Sequence, residues 1–269
     1  MSTADLTRTD SDRVPSGERS LPLRVSPYAL TAIGGSLLVL SVAVAAFARD
    51  WSRLSHAYLL AVVFFLSINL GAVFFVLLQH LTRARWSVTV RRVAELLTVS
   101  TPSLGLLLLP VLVPLLFGSS SLYDWNDAQL VEQDALIAHK SVYLNAGFFT
   151  ARCVIYFAVW TWIGRFLVKN SLRQDDGDGT ATRSLARWSG PAMLLLAITM
   201  NFAAFDLLMS LDPHWFSTIY GIYFFSGCVV ALLATLILAV VGLQLQGRLR
   251  REVTVEHFHD LGKLLFGFV

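Results

Sequence analysis

Six predominantly apolar stretches punctuate the chain, at 28–48, 56–79, 94–117, 143–168, 189–211 and 216–244, with short polar and basic segments between them. Each reaches the roughly 20 residues that a helix needs to cross the hydrocarbon core of a bilayer. The pattern predicts an all-α, polytopic membrane protein with six complete transmembrane helices. Pro102, Pro110 and Pro114 inside the third stretch predict a kinked helix, with room for water or ligand at the kink. Residues 1–27 are polar and of mixed charge, without the basic head, apolar run and small-residue cleavage site of a signal peptide. They are expected to form a solvated tail ahead of a transmembrane domain over 28–269. At the other end, an amphipathic segment over 256–266 leads from about 259 into a seventh apolar run, Leu264–Val269. That run ends after a length of about 9 Å as helix, so it is expected to be the start of a seventh helix in the N-terminal part of a longer polypeptide.

Composition agrees with the pattern. Of 269 residues, 55% are hydrophobic and only 14% charged, and the mean hydropathy of +0.63 is far from that of a soluble domain. The net charge of +3 is accounted for by the loops. Four arginines in the tail, four in 80–92, five basic residues in 165–187 and three in 248–251 share one side, against Arg49, Arg53 and Lys140 on the other. That bias predicts a cytoplasmic N-terminus and calls for no nucleic-acid partner.

Several chemistries lack their residues. A haem between membrane helices needs an axial ligand projecting into the bundle core, but His56, His80, His139, His214, His257 and His259 all fall at helix ends or in loops. Cys153 and Cys228 are single cysteines within spans, which reads as small buried hydrophobes rather than cluster ligands. His257 and His259 are two residues apart, so a helix would not present them on one face. No glycine-rich phosphate loop, G-x-S-x-G elbow or H-E-x-x-H is present, and no metal site is expected.

Ionisable residues at bilayer depth are costly and need a partner. Arg152 lies about 13 Å from the outer end of the fourth predicted helix and Asp206 about 8 Å from that of the fifth. These helices run antiparallel. Asn145, Arg152 and Tyr156 form one stripe and Thr199, Asp206 and Ser210 another, so the two charges can meet. Such a pair either fixes helix packing or lines a quinone pocket or proton path. Asp212 before Pro213 reads as the N-cap of the sixth helix, and the aromatics that follow read as an interfacial belt. On the same side, His139 and His214 are the histidines best placed to accept a proton, ahead of His56. On the cytoplasmic side Glu95 is expected to pair with Arg91 and Arg92 at helical spacing. Glu256, His259, Asp260 and Lys263 share one face of the 256–266 segment, either as ordinary amphipathicity or as a proton entrance.

Three blocks, LQHLTRARWSVTVRRVAE (78–95), FDLLMSLDPHWFSTIYGIYFFSG (205–227) and EHFHDLGKLLFGFV (256–269), resemble the ActF family. ActF is the second quinone-binding membrane subunit of alternative complex III, a quinol:cytochrome c oxidoreductase, and is similar to the NrfD/PsrC membrane anchors. The resemblance implies NrfD/PsrC-like helical bundles in a bacterial inner membrane and a role in quinol binding or proton translocation. It implies that this chain holds no cofactor of its own, quinone or quinol aside. It also implies partners: an ActC-like membrane subunit, an iron–sulfur subunit, c-type cytochromes and a terminal oxidase. Haem c and iron–sulfur clusters would then lie in those partners. A scaffold whose buried charges only hold helices together, and an independent transporter, are the alternative classes.

Overall fold

The computed structural model describes residues 26–84, 88–118, 122–247, 249 and 253–269. The expected polar tail lies, up to residue 25, outside the described residues. Among the described residues the fold is all-helical, and six segments are long and apolar enough to cross a membrane. The chain is therefore a multi-pass, membrane-type helical protein.

The first two spans are α1 (Pro27–Ala48) and α2 (Trp51–Leu81). α2 begins five residues before the predicted 56, because Asp50 accepts a hydrogen bond from the Arg53 amide at 3.0 Å and caps the helix. α1 packs along α2 with nearly all its side chains exposed, whereas Leu66, Leu70, Ala72, Val73, Val76 and Leu77 make α2 the buried centre of the bundle. The apolar exposure of α1 fits a lipid-facing helix.

The third span is not one kinked helix but three short ones, α3 (Val88–Thr98), α4 (Thr101–Leu107) and α5 (Leu109–Leu116). Pro102 and Pro110 fall in the first turns of α4 and α5, where a missing N–H costs nothing, so each proline restarts the helix. The carbonyls freed at the breaks need donors, since no water reaches them in a hydrocarbon core. Side chains supply these. Asn69 donates to the Leu97 carbonyl at 2.8 Å, Thr101 to Thr98 at 2.8 Å, and Tyr58 to Leu107 at 2.6 Å. The room expected at a proline kink is present beside the breaks, as a cavity of about 770 Å³ against Phe157 and Trp162, with Arg165 and Lys169 at one end.

A loop carrying α6 (Ala128–Gln133) and α7 (Ala135–Lys140) leads to α8 (Ala146–Asp175), which Asn145 caps through the Phe148 amide at 2.9 Å. Asp178 caps α9 (Gly179–Leu207), ten residues before the predicted start, and a 3-10 turn over Met209–Leu211 follows. Asp212 does not cap the sixth span. It accepts the His214 and Trp215 amides at 3.0 and 3.3 Å and closes a separate turn, and α10 (Tyr220–Leu245) starts eight residues later. α11 (Val255–Phe268) begins at 255 rather than 259 and turns back along α10. Gln244 donates to Val253 O at 2.7 Å and Ser226 to Phe268 O at 2.6 Å, tying the two helices at both ends.

α2, α8 and α10 finish at one end of the bundle, called here the basic end for its loops. α2 and α10 pack so closely that a Cβ on Gly71 would lie 2.3 Å from the Cys228 carbonyl oxygen, the kind of backbone approach that small residues permit between membrane helices. Gly71→Leu should therefore force these helices apart and destabilise the fold by at least the ~1–3 kcal/mol typical of overpacking. Thermal unfolding of the purified protein in detergent should show a clear drop in midpoint. Gly34→Leu, placed where nothing lies within 4 Å, should show none.

Candidate functional site

α8 and α9 lie antiparallel, and three polar contacts tie their outer halves. Arg152 meets Asp206 in a bidentate pair, Nε to Oδ2 at 2.8 Å and Nη2 to Oδ1 at 2.9 Å. Tyr156, one turn further along α8, donates its hydroxyl to Asp206 Oδ2 at 2.7 Å. A further turn on, Trp160 Nε1 donates to Thr199 Oγ1 at 2.9 Å. The two predicted stripes thus face each other, with Asp206 fully buried and Arg152 only 7% exposed. The pair is shallower than the sequence suggests. Since α8 starts at Ala146 and α9 ends at Leu207, Arg152 lies about 9 Å into its helix and Asp206 lies in the last turn.

Tyr143 completes the surroundings of the guanidinium. Its carbonyl accepts from Arg152 Nη1 at 3.0 Å and its ring lies under Cζ at 3.8 Å, with Phe148 on another side at 4.3 Å. Beside the pair, Tyr123, Trp125 and Phe149 form a cluster of mutually tilted rings, and the Tyr123 hydroxyl donates to the Leu207 carbonyl at 3.1 Å.

Next to Tyr143 a cavity of about 440 Å³ opens at this outer end, walled by Phe202, Phe205, Trp215 and Phe216 and carrying Ser210, Asp212 and His214. His214 Nε2 lies 2.6 Å from Asp134 Oδ2, which leaves Nδ1 as its second ring nitrogen. Asp134 also caps α7 through the Leu136 and Ile137 amides. The Ile137 amide bond, more than the contact with His214, holds this carboxyl below the usual range. Lys140 Nζ donates to the Pro213 carbonyl at 2.5 Å and ties the two loops. His139 is exposed on α7 and does not line the cavity, and His56 bonds its own helix at Ser52 O.

At the basic end Glu95 is 2% exposed. Arg92 Nη1 bonds it at 3.0 Å, Arg91 Nε lies 3.2 Å away, Ser171 of α8 donates to it at 2.7 Å, and Arg92 also pairs with Asp175. None of these groups is on α11. There Glu256, His259 and Lys263 are exposed and Asp260 half-buried, with a long 3.7 Å contact between Lys263 and Asp260. The structure does not bring the α11 group together with Glu95. His257 caps α11 instead, its Nδ1 lying 3.2 Å from the Thr254 amide.

Sequence reasoning missed Tyr143, Asp134 and Lys140. Asp134 carried a signal, since D-A-L-I is an N-cap followed by helix formers. Tyr143 and Lys140 act through a carbonyl, a ring face and a long reach, which have no sequence signature. Among the described residues no three His, Cys, Asp or Glu side chains gather as metal ligands.

Fold and site together define a multi-pass helical membrane protein with a buried ion pair beneath an aromatic-walled outer cavity. No protein-family model matches the chain, and no curated protein matches it.

Removing one partner of a buried pair leaves an uncompensated charge, so Arg152→Met should cost about 3–5 kcal/mol. Tyr156→Phe, which removes one hydrogen bond to a charged group, should cost about 1.5–3 kcal/mol. Arg152→Met combined with Asp206→Leu should cost less than Arg152→Met alone, as a double-mutant cycle on unfolding in detergent would measure. At the outer loop, a lowered carboxyl stabilises the fold above its unfolded pKa and loses that contribution as pH falls through its folded value. Hydrogen exchange at Leu136 and Ile137 should therefore stay protected from neutral pH down to about pH 4, the ordinary carboxylate range, and protection should be lost only below it.

Proposed function

We propose that the chain is a membrane subunit of a respiratory quinol-oxidising complex of the alternative complex III kind, in a bacterial inner membrane. The observation that carries this reading is the outer cavity: apolar and aromatic walls suited to a quinone ring, with an imidazole oriented by a carboxylate at its edge. The positive bias of the opposite loops supports a periplasmic setting for this end. A quinol that becomes a quinone releases two protons and two electrons. His214, held through Nε2 by Asp134, offers Nδ1 as acceptor for one hydroxyl proton and passes it to the exposed outer surface. The second proton goes to water there. Iron–sulfur clusters and c-type haems held by partner subunits would take up the two electrons and hand them towards a terminal oxidase, with an ActC-like membrane subunit alongside.

Asp206 has a different role in this scheme. Both its oxygens are engaged, by Arg152 and Tyr156, and accepting a proton would disrupt these bonds. That saturation favours a positioning role, in which the pair holds α8 against α9 and fixes Tyr143 at the cavity wall. The NrfD/PsrC-like bundle arrangement supplies the context in which such a wall faces quinol. A proton path from Glu95 to Asp206 is less well supported. Arg152 and Ser171 are separated by about 28 Å along α8, and the buried side chains facing inward between them include Ile163 and Leu167.

The test uses the assembled complex. His214→Ala should leave assembly intact and lower the quinol oxidation rate by roughly 10²-fold, the low end for a general base. Asp206→Asn should reduce the yield of assembled complex. An unchanged oxidation rate in His214→Ala would sink the quinol-site reading. Normal assembly, rate and proton release in Asp206→Asn would dismiss the positioning role and any proton path through that residue.

A further inference from the structure

The basic end carries a feature that the outer site does not use. The ends of α2, α3, α8 and α9 enclose a cavity of about 640 Å³ lined by Arg83, Arg91, Arg183 and Arg187 together with Gln79 and His80, and by no carboxylate. Arg91 is offset by Glu95 at 3.2 Å. Arg83, Arg183 and Arg187 have no acidic partner among the described residues. Converging guanidinium groups repel one another, and a site of this kind is stable when an anion sits among them.

A second, independent observation points to a ligand. His80 is 7% exposed, and its Nε2 has no hydrogen-bond partner among the described residues. A buried polar nitrogen without a partner is rare and costly. With arginines around it, a ligand that supplied this partner would be an anion rather than a cation, offering an oxygen to the imidazole. Planar guanidinium forks match phosphate oxygens in particular.

The surroundings favour a lipid over a soluble anion. Leu81 and Trp188, beside the cavity in sequence, expose apolar surface at 47% and 49%, and Leu194 and Ile198 continue that surface along α9. Trp at such a level marks the membrane–water interface, and basic pockets between helix ends suit anionic headgroups. We propose that this cavity binds the phosphate of an anionic phospholipid, its acyl chains running along α9. The site is separate from the outer cavity and does not depend on quinol oxidation.

The experiment places the purified full chain in nanodiscs of phosphatidylcholine, with and without cardiolipin, and follows thermal unfolding and the lipid retained in native mass spectra. Cardiolipin should raise the unfolding midpoint of the wild type and be retained. Arg183→Gln combined with Arg187→Gln, both exposed positions that leave the core intact, should bind at least about tenfold more weakly, as expected when charge-assisted bonds are lost. Arg49→Gln, at the opposite end, should bind as the wild type does. Equal cardiolipin response in wild type and double variant would overturn the site. Inorganic phosphate raising the midpoint as much as cardiolipin would overturn the lipid assignment in favour of a soluble phosphate anion. An equal rise with phosphatidylcholine alone would overturn the requirement for an anion.

Discussion

The bidentate bond between Arg152 and Asp206 is the constraint around which the outer half of this bundle is organised. Charges at that depth cannot be left to lipid, so α8 and α9 must be neighbours, antiparallel and in one rotational setting. That setting carries Tyr156 to the same carboxylate and Trp160 to Thr199. It also fixes Tyr143, whose ring and carbonyl both hold the guanidinium. The outer cavity inherits its inner wall from this arrangement.

The same rule, that polar groups within the membrane must find partners inside the protein, explains the middle of the fold. Two prolines, Pro102 and Pro110, divide the third span, and each break frees carbonyls. Asn69 and Tyr58 on α2 reach across to them, so the central helix compensates for the broken one. Gly71, on the same helix as Asn69, lets α10 approach the other side. α2 is therefore buried for two reasons: it packs apolar faces, and it supplies donors to a neighbour that cannot satisfy itself. The two polar ends differ in kind as well. The outer end presents an imidazole and carboxylates beside aromatic rings, which suits a neutral ring compound that gives up protons. The basic end presents guanidinium groups that are unpaired among the described residues, which suit a phosphate.

Much of this could be read from the residues alone. Hydrophobic run lengths located the spans to within a few residues at most ends, because the hydrocarbon thickness sets a minimum length. Heptad spacing on two antiparallel helices put Arg152 opposite Asp206, since helical periodicity is local geometry. Glu95 with Arg91 and Arg92 was legible for the same reason. Helix starts were less so. α9 begins ten residues early because hydropathy does not register a polar first turn capped by Asp178, and Asp212–Pro213 resembled a cap while serving a separate turn.

The sequence by itself determined the class: a chain this apolar, with basic loops on one side and isolated opposite charges in two spans, has to be a helical bundle that pairs them. Tertiary structure alone decided which side chains from distant segments share a surface. His214 meets Asp134 across 80 positions, Lys140 reaches Pro213, and His80 joins arginines from α3 and α9. Periodicity specifies which face of a helix a residue occupies, but which faces meet depends on packing of the whole bundle, and that information is not local in the chain.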